Sequence, residues 1–350
     1  MRQVAAHAGV SVATVSKVLN QPDSVPELTR RRVNASIRRL GYVRNESARQ
    51  LRAGRSRMVG LVVLDVSNPF FTDLARGVED VASRNGLVVI LCNSDNEERK
   101  QDRYLGLLEG HRVGGVLLSP VADAGTTLVR LRERGIPVVL IGGRAPTVAH
   151  CSVAVDDVLG GERAVSHLLT IGHKRVAYVA GPMTVRQVAD RYNGALRALR
   201  RAGRPPADLL LIHADGLNVA AGRQAGAIIA AMPAAARPTG VFCTNDLMAL
   251  GLLQEMTRNR IQVPEDVSIV GYDDIDFAAA AAVPLTSMRQ PRYQLGHTAA
   301  QLLLEEAALG AEHQHREVIF EPDLVIREST RLTAADATPD SRHSGLVDTS

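Results

Sequence analysis

From Met58 onward the chain alternates between two kinds of segment. "MVGLVVLDV", "GLVVILCNS", "VGGVLLSP", "IPVVLIG", "RVAYVAGP", "DLLLIHA", "GVFCTND" and "VSIVGYDD" are short apolar runs of strand type. Stretches with helical spacing separate or follow them, at residues 70–85, 97–109, 126–134, 160–171, 190–202, 219–232 and 247–258. Strands that are apolar on both faces need cover on both faces, so this alternation predicts parallel sheets sandwiched between helices. About nine such strands are too many for one comfortable sheet, which points to two Rossmann-like subdomains.

The first 57 residues are different. Residues 2–8 read as a short helix, Gly9-Val10-Ser11 as a turn, and residues 12–19 as a second helix with Ser11 as its N-cap. Pro22 stops that helix, and a third runs over residues 27–40 to Gly41. Two short helices around a glycine turn, buttressed by a third, make a helix-turn-helix module. Charge supports it. Residues 1–57 hold 12 Lys/Arg against Asp23, Glu27 and Glu46, a balance of +9, whereas the remaining residues carry −5. A small basic head on a mildly acidic body predicts a polyanion-binding module joined to something that binds no polyanion. Residues 45–53 contain good helix formers, and 54–57 look like a linker.

Other classes are disfavoured. Cys92, Cys151 and Cys243 are far apart and odd in number, so neither a disulfide framework nor a zinc cluster is indicated. His313 and His315 fall in a loop with no further ligand beside them in sequence, so no metal and no cofactor are expected. None of GxGxxG, GxxxxGK[ST], HExxH or GxSxG occurs, which argues against an enzyme. No apolar run approaches 18 residues and the N-terminus lacks a signal-peptide core, so the expectation is a soluble, cytoplasmic chain without a membrane partner. Residues 331–350 are polar and are expected to be disordered.

Eight segments, in order from residue 4 to 330, resemble the lactose/galactose-repressor (LacI/GalR) family of bacterial transcription regulators. They are "VAAHAGVSVATVSKVLN", "ARQLRAGRS", "VGLVVLDVSNPFFTDLARGVED", "HLLTIGHKRVAYVAGP", "FCTNDLMALG", "VPEDVSIVGYDD", "LTSMRQP" and "LVIREST". The body alone is similar to periplasmic sugar-binding proteins. The resemblance implies an α/β chain with an N-terminal helix-turn-helix head (1–44), a hinge helix and linker (45–57), and two lobes of the periplasmic-binding-protein type (58–330). The N-lobe is expected at 58–154 and 286–314, and the C-lobe at 155–285 and 315–330.

On the same resemblance, Val12, Ala13 and Lys17 would meet base edges in the major groove, Lys17 donating to guanine and the other two touching a thymine methyl. Ser11, Thr14, Ser16 and Asn20 would bond phosphates, which sets register without reading sequence. Ala48 and Leu51 match a hinge pair that wedges into the minor groove, with Arg49 and Arg52 near phosphates. Paired half-sites on DNA imply a homodimer or a higher oligomer. In the body, Asn68, Phe70, Phe71, Arg191, Asn245, Asp246 and Asp273 are the expected effector-binding residues, in a cleft at the carboxyl ends of the strands. An arginine with two carboxylates and an aromatic face suits a neutral, hydroxyl-rich ligand.

Three departures from the family pattern stand out. Family members usually begin a few residues earlier with a helix cap, so here either the start lies upstream or the first helix is weaker. Many sugar-responsive members have Asp-Arg after "IPVVLI", where this chain has Gly142-Gly143 and then Arg144, which puts a pentose contact in doubt. Pro26 stands where the third helix usually has its cap residue. The resulting expectation is an operator-binding repressor that binds double-stranded DNA and is released by a sugar or sugar-derived inducer. Corepression and a ligand sensor with a vestigial head are the alternatives.

Overall fold

Gly9 takes the left-handed conformation (φ 60°) that ends the first helix, α1 (Arg2–Ala8). Ser11 then caps α2 (Val12–Asn20) by accepting from Thr14 N. With α3 (Glu27–Arg39) these helices enclose a small core of Val4, Ala5, Ala8, Val15, Val18, Val25 and Val33. His7 Nδ1 pairs with Ser36 Oγ at 3.0 Å, tying α1 to α3. No side chain caps α1 or α3, whose N-caps are Met1 and Pro26. The computed structural model describes residues 1–42, 56–121, 125–143 and 150–332. The chain divides into two units, Met1–Arg55 and Ser56–Ser350. The expected hinge residues Ala48, Arg49, Leu51 and Arg52, along with Arg144 and the tail from 333, lie outside the described residues.

The second unit is built from strands β1 (Met58–Val63), β2 (Val88–Asn93), β3 (Gly115–Leu118), β4 (Val138–Ile141), β5 (Cys151–Val155), β6 (Val176–Ala180), β7 (Leu209–His213), β8 (Gly240–Cys243), β9 (Ser268–Asp273), β10 (Thr286–Arg289), β11 (Glu317–Phe320) and β12 (Asp323–Val325). Its helices are α4 (Pro69–Arg84), α5 (Glu98–Gly110), α6 (Gly125–Glu133), α7 (Asp157–Thr170), α8 (Arg186–Arg201), α9 (Val219–Ala231), α10 (Asp246–Arg258), α11 (Asp276–Ala279) and α12 (Arg292–Leu309). Two six-stranded sheets result. The N-lobe order is β11-β5-β4-β3-β1-β2 and the C-lobe order β12-β10-β9-β8-β6-β7. Among the described residues, β12, antiparallel to β10, is the one strand that departs from parallel pairing. Apolar clusters cover both faces of each sheet, as the unbroken apolar runs require.

The lobe boundaries need correction. β10 pairs with β9 through Thr286↔Val270, so residues 286–289 belong to the C-lobe, not the N-lobe. β11 pairs with β5 through Glu317↔Ser152, so residues 317–320 belong to the N-lobe, not the C-lobe. The crossings therefore follow Val155, Arg289 and Phe320. Strands β5, β10, β11 and β12 are three to five residues long and lack a dense aliphatic run, so their pairing depends on partners far away in sequence.

Three helix pairs touch backbone to backbone through reciprocal glycines. A Cβ on Gly77 or Gly296 would overlap the carbonyl oxygen of Tyr293 or Leu74 across α4 and α12. Gly161 and Gly194 stand in the same relation to the Arg191 and Val158 carbonyls across α7 and α8, and Gly222 and Gly251 to the Met248 and Val219 carbonyls across α9 and α10. Gly161→Ala is expected to destabilise by about 1–3 kcal/mol or more, because neither backbone can yield cheaply. Gly106, on the exposed side of α5 with open space around it, is the opposite case. Gly106→Ala should stabilise by up to about 1 kcal/mol, and urea denaturation of both variants measures the contrast.

His173, buried at the entry to β6 and paired with Thr239 Oγ1, is pushed by burial from its ordinary 6.5 down to about 4. The folded state therefore keeps the ring neutral while the unfolded chain takes up a proton as pH falls below 6.5. Stability should fall between pH 6.5 and 4, by up to about 3 kcal/mol at the lower end. A His173→Gln variant should lose that slope in denaturation curves collected across the window.

Candidate functional site

The first unit presents α2. Val12, Ala13 and Lys17 are solvent-exposed; Val12 keeps 43% of its surface accessible although it is apolar. Neither Val12 nor Ala13 packs into the head's core, so packing does not explain their presence. Ser11 and Thr14 hydroxyls pair at 2.9 Å, and Asn20 Nδ2 donates to Ser16 Oγ at 3.2 Å along the same helix. An exposed helix with one lysine, two small apolar residues and a row of hydroxyls has the composition of a groove-reading surface.

The second unit holds a cleft at the carboxyl ends of both sheets, with an empty volume of about 740 Å³ including its open mouth. Asn68 is the N-cap of α4, accepting from Phe70 N, and its Nδ2 crosses the cleft to Asp273 Oδ2 at 3.0 Å. Gln290 Nε2 donates to the other oxygen, Asp273 Oδ1, at 2.7 Å. A second bond across the lobes runs from Gln187 Nε2 to Gly142 O at 2.9 Å. Phe70 and Phe71 meet edge to face, centroids 5.0 Å apart, on the cleft wall.

Arg191 is the electrostatic centre. It is buried; Nε donates to Asp157 Oδ1 at 2.8 Å and Nη1 to Thr244 O at 2.7 Å. Its guanidinium carbon lies 3.6 Å from the Tyr272 ring centroid, within cation–π range. Two of its five N–H donors are thereby committed while the residue still lines the cleft. Burial opposes its charge, but Asp157, Tyr272 and Asp273 outweigh that and hold Arg191 firmly cationic. Burial pushes the Asp157 and Asp273 carboxyls up, and Arg191 only partly offsets it. Guanidinium N–H groups, the Asp273 carboxyl and side-chain amides on one cleft offer a polar ligand both donors and acceptors.

Asn68, Phe70, Phe71, Arg191, Asn245 and Asp273 are thus brought together on the cleft. Asp246 is not. It is wholly buried, accepting from Ile275 N at 2.9 Å and Ser287 Oγ at 2.6 Å, and burial raises its carboxyl well above the usual range. The expectation that it contacts the effector is corrected: its carboxyl pins the α10 start to the β9 and β10 ends behind the cleft. Asn245 lines the cleft, but as the α10 N-cap it accepts from Met248 N and donates to Leu217 O. A second correction concerns His313 and His315, expected to lack further ligands. The pairing of β11 with β5 sets Cys151 beside both rings and Glu306 within reach.

The profile described as "Bacterial regulatory proteins, lacI family" matches residues 1–45, and that described as "Periplasmic binding protein-like domain" matches residues 165–330. The HTH-type transcriptional repressor CytR of Escherichia coli K12 is 33% identical over 331 residues, covering 95% of this chain and 96% of that protein. The chain belongs to the lacI family of bacterial regulatory proteins. A lacI-family transcriptional regulator from Enterococcus faecium with bound ribose superposes at a TM-score of 0.73, with 31% identity over 79% of this chain and 99% of its own. The lac repressor dimer bound to operator and an anti-inducer gives a TM-score of 0.80 at 26% identity, over 94% and 98% of the two chains.

Within this lacI-family frame, Asp157, Gln187, Thr244, Tyr272 and Gln290 are cleft or supporting residues that the sequence reading missed. Asp157 follows the N-cap Asp156 in a doubled Asp, and Gln290 sits in the quoted "LTSMRQP", but neither spacing reveals its partner. The departure at Gly142 now has a physical setting. Its φ of 75° favours glycine, and a Cβ there would press on Gln187 Nε2, the donor of the second bond across the lobes. Asp246→Ala is expected to lower stability by about 2 kcal/mol or more, because Ser287 and Ile275 N–H lose their acceptor inside the protein. It should leave the affinity of any cleft ligand within about threefold, read by calorimetry below the shifted melting temperature.

Proposed function

We propose that this chain is an operator-binding repressor whose cleft takes a sugar or sugar derivative as inducer. It would act as a homodimer, in the cytoplasm, and not as an enzyme. Among the described residues no helix is long and apolar enough to cross a membrane. The observation that carries the effector reading is Arg191, held over the cleft by Asp157, Thr244 O and the Tyr272 face, with Asp273 beside it and the Phe70/Phe71 pair on the wall. Buried donors and acceptors at fixed spacing orient hydroxyls, and an aromatic wall covers the apolar face of a sugar ring. The ribose complex of the Enterococcus faecium regulator supports this reading.

For the head, Val12, Ala13 and Lys17 would read bases, while Ser11, Thr14, Ser16 and Asn20 would hold phosphates. Ala48 and Leu51 would enter the minor groove, with Arg49 and Arg52 near phosphates. A ligand that prefers the core conformation with separated heads shifts the population towards release only by its differential affinity.

A thermal-shift screen against pentoses, hexoses, disaccharides, polyols and free nucleobases tests the ligand class. At 100 times its dissociation constant a ligand adds about 2.7 kcal/mol to native-state stability, enough to register. A sugar that raises the melting temperature and weakens binding to selected operator DNA is the expected result. Stabilisation by nucleobases alone, with tighter DNA binding, would replace induction by corepression. Arg191→Ala should abolish the response yet leave operator affinity in place. Leu51→Ala should weaken specific binding more than non-specific binding, measured at one fixed salt concentration.

A further inference from the structure

At the start of β5, on the end of the N-lobe sheet away from the cleft, four donor atoms converge from three parts of the chain. Cys151 Sγ lies 3.2 Å from His313 Nε2 and 3.9 Å from His315 Nδ1. His315 Nδ1 lies 3.9 Å from Glu306 Oε2, and all four donors fall within 4.8 Å of one another. Tetrahedral zinc, with Zn–S near 2.3 Å and Zn–N near 2.0–2.1 Å, requires ligand–ligand edges of about 3.3–3.6 Å. The Cys151–His313, Cys151–His315 and His315–Glu306 distances lie within about 0.6 Å of those edges, and side-chain rotation would have to close the remaining pairs from at most 4.8 Å.

We propose that Cys151, Glu306, His313 and His315 form a structural zinc site. Cys151 and His313 are buried, and Glu306 Oε2 is shielded from solvent and accepts no hydrogen bond. An isolated carboxylate in that position is costly, and a cation is the partner that satisfies it together with a thiolate. One thiolate and one carboxylate balance a dication, so the assembly is electrically neutral. A thiolate with two imidazoles selects zinc over magnesium or calcium, which prefer all-oxygen shells. Four protein donors close the coordination sphere, the arrangement of a structural rather than a catalytic zinc. Arg316 N–H points at Cys151 Sγ from 3.4 Å, an outer contact of the kind that orients a thiolate ligand.

The position gives the metal a task. Glu306 is on the last turns of α12, His313 and His315 are in the loop beyond it, and Cys151 opens the strand against which β11 pairs. Zinc would clamp β11 and the loop before it onto the N-lobe sheet, at the end where β1 and β5 begin, without touching the cleft.

The test uses full-length protein with any affinity tag removed, dialysed against zinc and then against metal-free buffer. Elemental analysis should find about one zinc per chain. Cobalt(II) exchanged into the site should give intense visible d–d bands and an ultraviolet thiolate-to-cobalt charge-transfer band. Zinc at 100 times its dissociation constant favours the native state about a hundredfold, so the melting temperature should rise with zinc and fall with chelator. Cys151→Ser and His315→Ala should lose the metal and the charge-transfer band, whereas Cys92→Ser, on β2, should keep both. His315→Ala decides the matter if Cys151→Ser fails to fold. Folded wild-type protein with less than about 0.1 zinc per chain, or equal zinc in wild type and His315→Ala, would overturn the proposal and leave a hydrogen-bonded Cys–His cluster.

Discussion

Backbone contact between helices at reciprocal glycines is the constraint on which the core rests. Where Gly161 meets the Arg191 carbonyl and Gly194 meets that of Val158, α7 and α8 approach more closely than any side chain allows. The same holds for α4 with α12 and for α9 with α10. These contacts lie in the first two turns of α7, α9, α10 and α12 and midway along α4 and α8, and the N-terminal turns of several of these helices line the cleft. Asn68 and Phe70 begin α4, Asp157 begins α7, Gln187 and Arg191 belong to the start of α8, and Asn245 caps α10. The packing that holds the lobes together therefore also fixes the angles at which polar side chains enter the site.

The cleft's electrostatics follow from that placement. A guanidinium buried among Asp157, a carbonyl and an aromatic face keeps its charge because the attraction of the carboxyls and the ring outweighs the cost of burial. Asp273, at the end of β9 in the same lobe as Arg191, lines the same space and is tied to Asn68 and Gln290, so the N-lobe meets the C-lobe at that carboxyl. Polar contacts join the lobes at the cleft, Asn68 to Asp273 and Gln187 to Gly142 O among them, with Arg292 reaching the Asp273 and Asp274 carbonyls.

Two residues show how similar sequence can conceal different work. Asp246 follows a strand in a motif that the family shares, yet its two oxygens are spent on Ile275 N and Ser287 Oγ behind the cleft wall. Gly142 departs from the sugar-responsive pattern, and the space it leaves is taken by Gln187 from the opposite lobe. In both cases chain position marks the neighbourhood correctly while the bonding partner decides the role.

The alternation of apolar runs with helical segments was enough to determine paired parallel sheets, since strands buried on both faces have no other stable arrangement. Ser11, the Gly9 turn and the +9 charge of the first 57 residues likewise determined the helix-turn-helix head, because capping, backbone angle and charge are local properties. Asn68, Phe70, Phe71, Asn245 and Asp273 could be placed near the cleft because each follows or ends a recognisable strand, and Arg191 through the family resemblance. Lobe membership of residues 286–289 and 317–320 was not, because short strands take their sheet from partners that only folding supplies. The partners of Arg191 and Asp246, and the gathering of Cys151 with Glu306, His313 and His315 across more than 150 residues, were decided by tertiary structure alone. Sequence records which donors and acceptors exist; which of them meet in a low-dielectric interior depends on the pairing of distant strands and the close approach of helices.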